Sequence, residues 1–470
     1  MRGACTMDAT AFADIAAAFA RFHAHFAPLF GRREVRARGE QYLRGLLVQH
    51  ADRRNVEHVA EAVVGATPRT LQRLLTEAPW AHEPVLAALQ AYLAPRLSDP
   101  DGVFILDESA FPKRGERSVG VARQWCGTLG KTANCQVGVF LAYHSRHGQA
   151  LVDARLYLPK TWMADRDRCR ATGVPDAIAF ATKGDLGLAL LREARGRGEL
   201  TGRWIVADDW YGRSAPFRDA LDADGWWYVL DVPRDTAVFT APAPVALPAR
   251  RKHGRPPTRL RLAPGATPPQ QVAALAASLP PEAWLVMTAA DGSQGPRRYR
   301  YAVRRIWERR DGLPGRPGWL VIRRNLDGSD ERYALSNAPA DTAPQTLVTV
   351  GATRPMVETL FRQAKGEAGL DEYEVRGWRG WYHHVTLTLL AMAFLLTVQQ
   401  TGGVECVELT IPQVSRLLRG LLPQRTWTFA ELLTWLVGTQ RRNARAKQAH
   451  AERRCRDGTS PPPSRIPPEG

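Results

Sequence analysis

The fold is indicated first by the run VFILDE, residues 103–108, in which four apolar residues precede a pair of acids. Such a short apolar run, bounded by polar residues, is typical of a strand buried within a sheet. The run WIVADD, residues 204–209, repeats the pattern. Since the ends of neighbouring strands meet at one edge of a sheet, we expect the two acid pairs to lie close together.

Further strand-like runs set the expected fold class. Three follow the first acid pair, at Ser118–Trp125, Cys135–Tyr143 and Ala150–Tyr157. A helical stretch near Ala177–Arg197 then precedes the second acid pair, and Trp226–Leu230 follows as another strand. Antiparallel strands followed by strand–helix alternation predict an α/β fold with a ribonuclease-H-like mixed sheet.

Shifts in composition predict how the chain is divided. We expect an all-helical domain first, then a mixed-sheet core that a β-rich insertion interrupts, and last a basic, proline-rich mobile tail. The second part of the core is expected to hold a glutamate-bearing helix and a buried helix. The expected segments, in that order, are 1–100, 101–232, 233–350, 351–440 and 441–470.

The first segment carries a candidate helix-turn-helix. Asn55–Val64 is one apolar-periodic stretch, and a glycine-containing turn separates it from Pro68–Thr76. Thr67 as N-cap with proline at the first helical position predicts where the second helix begins. Arg69 and Arg73 would share one face of that helix and contact DNA. A helical bundle with a solvated basic face fits the same pattern.

The charge of the chain favours a polyanionic partner. Its 470 residues include 64 Lys and Arg against 47 Asp and Glu, which gives a formal net charge of +17 and a pI near 10.1. DNA or RNA is the commonest partner of such a surface. A hydrophobic content of 44% is ordinary for a globular protein and argues against a wholly disordered chain.

Compartment and membrane state follow from the cysteines and the apolar stretches. Six cysteines without a CxxC pair argue against a zinc ribbon and a disulfide framework, and fit a reducing cytosol. The apolar stretch at 385–398 is shorter than the roughly 20 residues that a spanning helix needs. The N-terminus has no signal-peptide layout. We therefore expect a soluble, cytoplasmic protein without a membrane partner.

A third acid would complete a metal site with the strand-end aspartates. Two close carboxylates repel each other, and a divalent cation usually relieves that repulsion. In the helix that starts near Arg354, Glu358 shares one face with Arg362 and Lys365, and apolar residues line the other face. Asp107, Asp208 and Glu358 are therefore the candidate ligands.

Each of these acids also has a plainer interpretation. Strand-end aspartates often cap turns, and Glu358 with its neighbouring arginines could form an ordinary salt bridge on a helix surface. The acid pairs leave a further ambiguity, because Glu108 and Asp209 point opposite to their neighbours. Asp107 and Asp208 are preferred, since each is the first polar residue after its strand.

Long motifs resemble DDE transposases of bacterial insertion sequences. The stretch FILDESAFPKRGERSVGVARQWCGTLGKTANCQVGVFLAY (104–143) is similar to the first catalytic segment of the insertion-sequence 701 family, which is related to the insertion-sequence 4 group. ARLYLPKTW (154–162), IVADDWYG (205–212) and VETLFRQAKGEAGLDEYEVRGWRGWYHHVTLTLLA (357–391) continue the likeness. The resemblance covers most of residues 30–400.

The resemblance assigns roles to individual residues. Asp107, Asp208 and Glu358 match the three catalytic acids. Arg354 and Lys365 match the cations of the related group's tyrosine-arginine-glutamate-lysine signature and imply contacts with phosphate.

One residue departs from the signature. Its tyrosine would fall at position 351, which is Gly351 here. The phosphate contact of that tyrosine is therefore in doubt, and Tyr373 or Tyr382 could replace it.

The resemblance also implies a chemistry and partners. Two Mg²⁺ ions, or Mn²⁺ as a substitute, would bridge the three acids and promote strand cleavage at the element ends, followed by transfer of 3′-hydroxyls to target DNA. The partners would be double-stranded DNA, as terminal inverted repeats and as target, and a second copy of the chain in a homodimer on DNA.

Several further residues are weaker candidates. The related group stabilises a flipped base with an insertion-domain tryptophan; Trp284, Trp307 and Trp319 could do this or could belong to the insertion core. Arg255, in a basic loop, could enter a minor groove or remain solvated. The adjacent residues 383 and 384, both histidines, are expected to pack or cap, with DNA contact as the alternative.

Two other functions compete with transposition. One is a metal-dependent nuclease on the same fold that lacks strand transfer. The other is a catalytically silent, transposase-derived protein that binds DNA. The complete acid set argues against the second, and the separate basic helices argue against the first.

Overall fold

Two parallel strands that carry the acid pairs lie side by side inside a large mixed sheet in the computed structural model of this chain. Val103–Pro112 pairs with Trp204–Ala207, in a register that places Leu106 opposite Ala207. The residues that follow, Asp107 and Asp208, are therefore brought together. The structure describes residues 14–49, 54–249, 257–290, 295–401 and 409–456.

The strands of the described residues are numbered in chain order. They are β1 (Val103–Pro112), β2 (Ala122–Cys126), β3 (Lys131–Ser145), β4 (Gly148–Leu156), β5 (Trp204–Ala207), β6 (Trp227–Val232), β7 (Ala237–Phe239), β8 (Val245–Ala246), β9 (Arg261–Leu262), β10 (Gln270–Gln271), β11 (Leu285–Ala290), β12 (Arg297–Arg310), β13 (Leu313–Arg324) and β14 (Glu331–Ser336).

The helices are numbered in the same way. They are α1 (Ile15–Phe26), α2 (Arg33–Val48), α3 (Val56–Ala62), α4 (Pro68–Thr76), α5 (His82–Leu97), α6 (Lys160–Met163), α7 (Arg166–Ala171), α8 (Lys183–Arg197), α9 (Asp209–Gly212), α10 (Ala215–Ala223), α11 (Val272–Ser278), α12 (Pro344–Gly351), α13 (Met356–Ala368), α14 (Trp378–Thr401), α15 (Ile411–Leu421) and α16 (Phe429–Arg456).

The main sheet has the strand order β10-β7-β12-β13-β14-β6-β5-β1-β3-β2, with β11 paired to β12 and β4 paired to β3. Strands β1, β5 and β6 are mutually parallel, whereas β3 is antiparallel to both β1 and β4. The expected mixed α/β fold is confirmed at this level. A small second sheet pairs β8 with β9.

The segment expected as a β-rich insertion lengthens this same sheet. Strand β14 pairs antiparallel with β6, and β13 and β12 follow beyond it. A buried ion pair connects this extension to the rest of the sheet. Glu308 Oε2 of β12 lies 3.0 Å from Arg218 Nη2 of α10, and Glu308 Oε1 accepts a hydrogen bond of 3.0 Å from the hydroxyl of Tyr228 on β6. The extension therefore continues the sheet from the edge of β6.

Two strand predictions differ from the structure. Strand β1 does not end at Asp107, because β3 keeps pairing with it as far as Pro112, opposite Cys135. The strand expected at 118–125 begins only at Ala122. Gly120 has a φ of +73°, which interrupts an extended backbone, and its missing side chain leaves room for the carbonyl oxygen of Tyr157.

Helix α14 forms the centre of the helical layer. The buried helix expected at 385–398 is confirmed and extended, since nearly all of α14 is buried. Its length and composition would suit a membrane span, but 94% of its apolar window is buried inside the protein, as in the core helix of a soluble protein. Helices α2, α4 and α5 pack against it and share its hydrophobic cluster.

Helix α4 matches its predicted bounds of Pro68–Thr76. The Thr67 hydroxyl accepts a hydrogen bond of 3.2 Å from the Thr70 amide, and the Thr70 hydroxyl accepts one from the Thr67 amide in return. This capping box, with Pro68 at the first helical position, explains why the helix begins there.

The chain forms two compact units, Met1–Leu422 and Pro423–Gly470. In the second unit the described structure is dominated by α16, an exposed helix that includes residues 441–456 of the expected tail. The rest of that tail, 457–470, lies outside the described residues.

Candidate active site

Asp107 and Asp208 lie at the same level of the sheet, held by backbone contacts. Asp107 is buried on β1, and its Oδ1 accepts a hydrogen bond of 2.7 Å from the Glu108 amide. Asp208 follows β5 and caps α9, where its Oδ1 accepts a hydrogen bond of 3.1 Å from the Trp210 amide. One oxygen of each carboxylate is thereby fixed, and the other remains available to a cation.

Arg354 supplies that cation in the structure. Its Nη2 lies 3.5 Å from Asp107 Oδ2 and 3.8 Å from Asp208 Oδ2, while its Nη1 lies 2.6 Å from Glu358 Oε1. The guanidinium thus contacts all three acids predicted from the sequence. Its side chain is only 15% exposed, and its buried Nε has no hydrogen-bond partner among the described residues.

Glu358 reaches this position from the first turn of α13. The apolar face predicted for this helix is buried, and its Phe361 packs edge-on against Phe140 of β3 at 5.2 Å between ring centres. The carboxylate itself is 63% exposed. It therefore meets the Arg354 guanidinium from the solvent side of the two aspartates.

Burial disfavours the ionised form of both aspartates. It raises the pKa of Asp107 to about 7, with Arg354 opposing the shift and the nearby Asp208 adding to it. Burial likewise raises the pKa of Asp208, and Arg354 again opposes the shift. Perturbed carboxylates of this kind cluster at functional sites, because close like charges need a compensating cation.

The neighbouring acids point elsewhere. Glu108, on the opposite side of β1, pairs with Lys183 of α8. Asp209 pairs with Arg213 at 2.6 Å on the surface. This alternation is what an extended backbone requires, and it places Asp107 rather than Glu108 beside the guanidinium.

Sequence reasoning missed a fourth acid. Asp231, near the end of β6, is half-buried, and burial raises its pKa to about 6, with Arg354 opposing the shift. It lines a cavity of about 280 Å³ together with Asp208 and Arg354. Asp231 follows the strand predicted at 226–230, so the rule that selected Asp107 and Asp208 would also have selected it.

A glycine permits α9 to approach this acid. A Cβ atom on Gly212 would lie 1.8 Å from the carbonyl oxygen of Asp231, so no larger residue fits. The turn that begins with Asp208 therefore packs directly on β6. This contact helps to bring Asp208 and Asp231 to the same cavity.

The donor set suits a divalent cation of the magnesium type. Carboxylate oxygens are the ligands that such hard cations prefer. Among the described residues, no three His, Cys, Asp or Glu side chains converge closely enough to hold a metal ion as they stand, and the Arg354 guanidinium lies between the three acids. A cation already occupies this position in the structure, and an incoming metal ion would have to displace it.

Two predicted phosphate contacts lie on α13 beyond Glu358. Lys365 donates a hydrogen bond of 3.1 Å from Nζ to the Thr128 hydroxyl, and burial lowers its pKa. Arg362 is exposed, with Nη2 at 3.5 Å from the Thr359 hydroxyl. Both remain on the side of the helix that carries Glu358.

The remaining predicted cations are not part of this cluster. Arg69 and Arg73 are exposed on α4, where Arg73 Nε lies 2.9 Å from Glu77 Oε2. They form no ion pair with the three acids. Arg255 lies outside the described residues.

Both tyrosines suggested as replacements at the signature position are buried in the core. The Tyr373 hydroxyl donates a hydrogen bond of 2.8 Å to Gln136 Oε1, and the Tyr382 hydroxyl accepts one of 3.2 Å from the Leu156 amide. Neither can reach a phosphate in this arrangement. The replacement suggested for the missing tyrosine is therefore wrong in this structure.

The two histidines, expected to pack or cap, are also buried. His383 stacks on Trp80 with 3.7 Å between ring centres, and His384 Nδ1 lies 2.9 Å from the Tyr42 hydroxyl. Burial lowers the pKa of His383 to about 4 and that of His384 to about 3. Packing is therefore their role, as expected.

The three insertion tryptophans differ in exposure. Trp319 is buried and donates a hydrogen bond of 3.0 Å to the Pro339 carbonyl, as a core residue would. Trp284 is partly buried with the Arg324 guanidinium 3.9 Å from its ring centre, and Trp307 is partly buried in β12. The core interpretation fits Trp319 best.

The comparisons with known proteins identify the family. A model described as DDE superfamily endonuclease matches residues 25–296, more than half of the chain. This chain is a DDE superfamily endonuclease. The match spans Asp107 and Asp208, whereas Glu358 lies beyond it, so the case for Glu358 rests on its place beside the two aspartates.

The sequence and the structure of this DDE endonuclease give two further comparisons. No curated protein matches its sequence. Among solved structures, it is similar to a cryo-EM structure of the piggyBac transposase synaptic complex with hairpin DNA, at 13% identity and a TM-score of 0.39, over 98% of this chain and 85% of the other.

Proposed function

We propose that this DDE endonuclease is a transposase of the insertion-sequence 701 type, which cuts DNA at the ends of a bacterial element and joins the 3′-hydroxyls to target DNA. One observation carries the proposal: Asp107, Asp208 and Glu358 come from three separate elements and all contact one guanidinium. A structural salt bridge would not require three acids from distant parts of the chain around one buried cation.

The strand order supports a ribonuclease-H-like core. Five strands lie side by side in the order β4, β3, β1, β5 and β6. Of these, β3 alone runs antiparallel to the others, as the second strand of a ribonuclease-H-like sheet does. Strand β1 lies at the centre and carries Asp107, and its parallel neighbour β5 leads directly into Asp208.

Divalent metal binding is part of the proposal. Asp107, Asp208 and Glu358 would hold two Mg²⁺ ions, or Mn²⁺ in their place, which when bound activate the attacking water or 3′-hydroxyl and stabilise the leaving oxygen. Arg354 would then turn from the carboxylates to an adjacent phosphate, which a guanidinium can bind through two donors. Lys365 would hold a neighbouring phosphate as a point charge.

DNA is the proposed partner, as terminal inverted repeats and as target. The net charge of +17 supports a polyanionic ligand. The exposed Arg69 and Arg73 on the capped helix α4 would contact the duplex. Because two element ends must be held together for joining, we propose a homodimer on DNA in a bacterial cytoplasm.

The test is a cleavage and joining assay on the DNA that flanks this gene. The wild type should nick at the element boundary in Mg²⁺ or Mn²⁺, join the ends to a target plasmid, and do neither in EDTA. Asp107→Asn should bind the same DNA and cut nothing. Asp167→Asn is the matched control, since this exposed acid of α7 pairs with Arg170 at 3.5 Å and does not line the cavity of the cluster, and it should cut normally.

Other outcomes would favour the alternatives. Metal-dependent nicking without joining would indicate a nuclease, a function that the family description itself favours. Tight binding without cutting in any divalent metal would indicate a silent DNA-binding protein. Normal cutting by Asp107→Asn would contradict the site assignment.

A further inference from the structure

An exposed hydrophobic tip lies on the β2–β3 hairpin, whose turn contacts two of the elements that carry the acids. Trp125 on β2 is 62% exposed and Leu129 in the connecting turn is 47% exposed. The opposite side of the hairpin is anchored, because Cys126 and Cys135 are buried together with Ala110 and Val137. A large aromatic side chain held in water on an anchored hairpin is a candidate for contact with a partner.

The tip is tied to two of the elements that carry the acids. The Thr128 hydroxyl donates a hydrogen bond of 2.9 Å to the Ala110 carbonyl of β1, and it accepts one of 3.1 Å from Lys365 Nζ of α13. The hairpin tip therefore cannot move without disturbing a strand and a helix of the active site.

These two attachments show how far Thr128, in the turn of the hairpin, lies from the acids along each element. Ala110 is three residues beyond Asp107, which corresponds to about 10 Å along a strand. Lys365 is seven residues beyond Glu358, which corresponds to about 10 Å along a helix. Trp125 lies farther from the acids than Thr128 does, because it pairs with Thr132, eight residues along β3 from the Phe140 that faces Asp107.

The charge around the tip indicates what the partner is. Arg123 and Trp125 alternate along β2 and are both exposed, so they share one face. The segment 113–131 contains five basic residues and one acidic residue. Among the described residues, Arg123 forms no ion pair with a carboxylate, so its charge is available to a polyanion.

We propose that Trp125 is a base-stacking residue that contacts the DNA flanking the cleavage point, with Arg123 on the adjacent phosphate. The inference rests on the proposed function, because it requires DNA at the acid cluster. It adds a contact from the catalytic core itself, separate from the tryptophans of the sheet extension. Stacking needs an unpaired or unstacked base, so this contact is strongest where the duplex is opened.

Equilibrium binding to two defined probes tests the proposal. One probe is a duplex of roughly 30 base pairs, and the other is the same duplex with a short central mismatch bubble. Trp125→Ala should weaken binding to the bubble probe by about five- to 100-fold, with a smaller loss on the intact duplex, and Trp125→Phe should retain most of the affinity.

Salt dependence separates stacking from charge. Trp125→Ala should leave the slope of log affinity against log salt unchanged, since no phosphate contact is lost. Arg123→Gln should reduce that slope by about 0.9 on the duplex. Leu285→Ala is the control for loss of an exposed apolar side chain, because Leu285 is 60% exposed on β11, and it should bind both probes as the wild type does.

Three results would overturn the inference. Trp125→Ala could bind both probes as tightly as the wild type. It could instead convert a dimer to a monomer without loss of DNA affinity, which would make the tip a contact between copies of this chain. If the wild type bound neither probe, the proposed function would fail together with this inference, whereas the first two results leave the proposed function intact.

Discussion

Asparagine in place of Asp107 should make the metal-free protein more stable while abolishing its activity. Asp107 is buried and lies beside Asp208, and these surroundings disfavour its ionised form. A neutral amide of the same shape removes that charge. A gain in stability on removal of a catalytic group is what a cluster of three acids around a single guanidinium should show.

The magnitude follows from the raised pKa. The carboxyl titrates near 3.8 in the unfolded chain and at about 7 in the folded one, so between these values the folded state binds more protons than the unfolded state. Stability therefore falls as the pH rises through this window. At 1.36 kcal/mol per pKa unit, the cost is on the order of 4 kcal/mol above pH 7 and less than about half of that at pH 5.

Urea unfolding in EDTA at about pH 5 and about pH 8 measures this cost. Asp107→Asn should exceed the wild type by several kcal/mol at the higher pH and by much less at the lower. Excess Mg²⁺ at about 100 times its dissociation constant should stabilise the wild type by about 2.7 kcal/mol and leave Asp107→Asn unchanged. A variant that gained nothing at the higher pH, or equally at both, would refute the reasoning.

Three further changes probe separate parts of the structure. Glu358→Gln should change the free energy of unfolding by no more than about 0.5 kcal/mol, since the side chain is 63% exposed. It should nevertheless lower metal-dependent nicking of plasmid DNA by at least ~10–100-fold, which is the usual cost of a change in the outer shell of a metal site. Thr67→Ala should cost about 1 kcal/mol in urea unfolding through loss of the α4 capping box, and Thr67→Ser should restore it. Glu308→Ala should cost about 3–5 kcal/mol in the same assay, because it leaves Arg218 buried without its partner; a loss below about 1 kcal/mol would show that the sheet extension does not depend on this pair.

Much of the fold could be predicted because local signals agreed with tertiary packing. The apolar runs at 103–106 and 204–207 became the central parallel strands, and the Thr67 and Pro68 signals placed the start of α4 correctly. Where one strand ends relative to another was less predictable. Strand β1 continues past Asp107 because β3 pairs with it, and that long-range pairing leaves no local mark in the sequence.

The sequence identified the acids of the candidate site, but it did not predict how they are arranged in space. The acids stood out because each follows an apolar run or lies on an amphipathic helix. The position of Arg354 between all three depends on how α13 packs across the sheet, which spacing along the chain does not encode. Asp231 was overlooked although the same strand-end rule applies to it.

The central claim is that Asp107, Asp208 and Glu358 hold divalent metal for DNA cleavage. Titration of Mn²⁺ followed by electron paramagnetic resonance, on the wild type, Asp208→Asn and Asp167→Asn, tests it most directly. The account predicts roughly two bound ions for the wild type and for Asp167→Asn, and a loss of tight binding for Asp208→Asn. Mn²⁺ binding by Asp208→Asn that matched the wild type would contradict it.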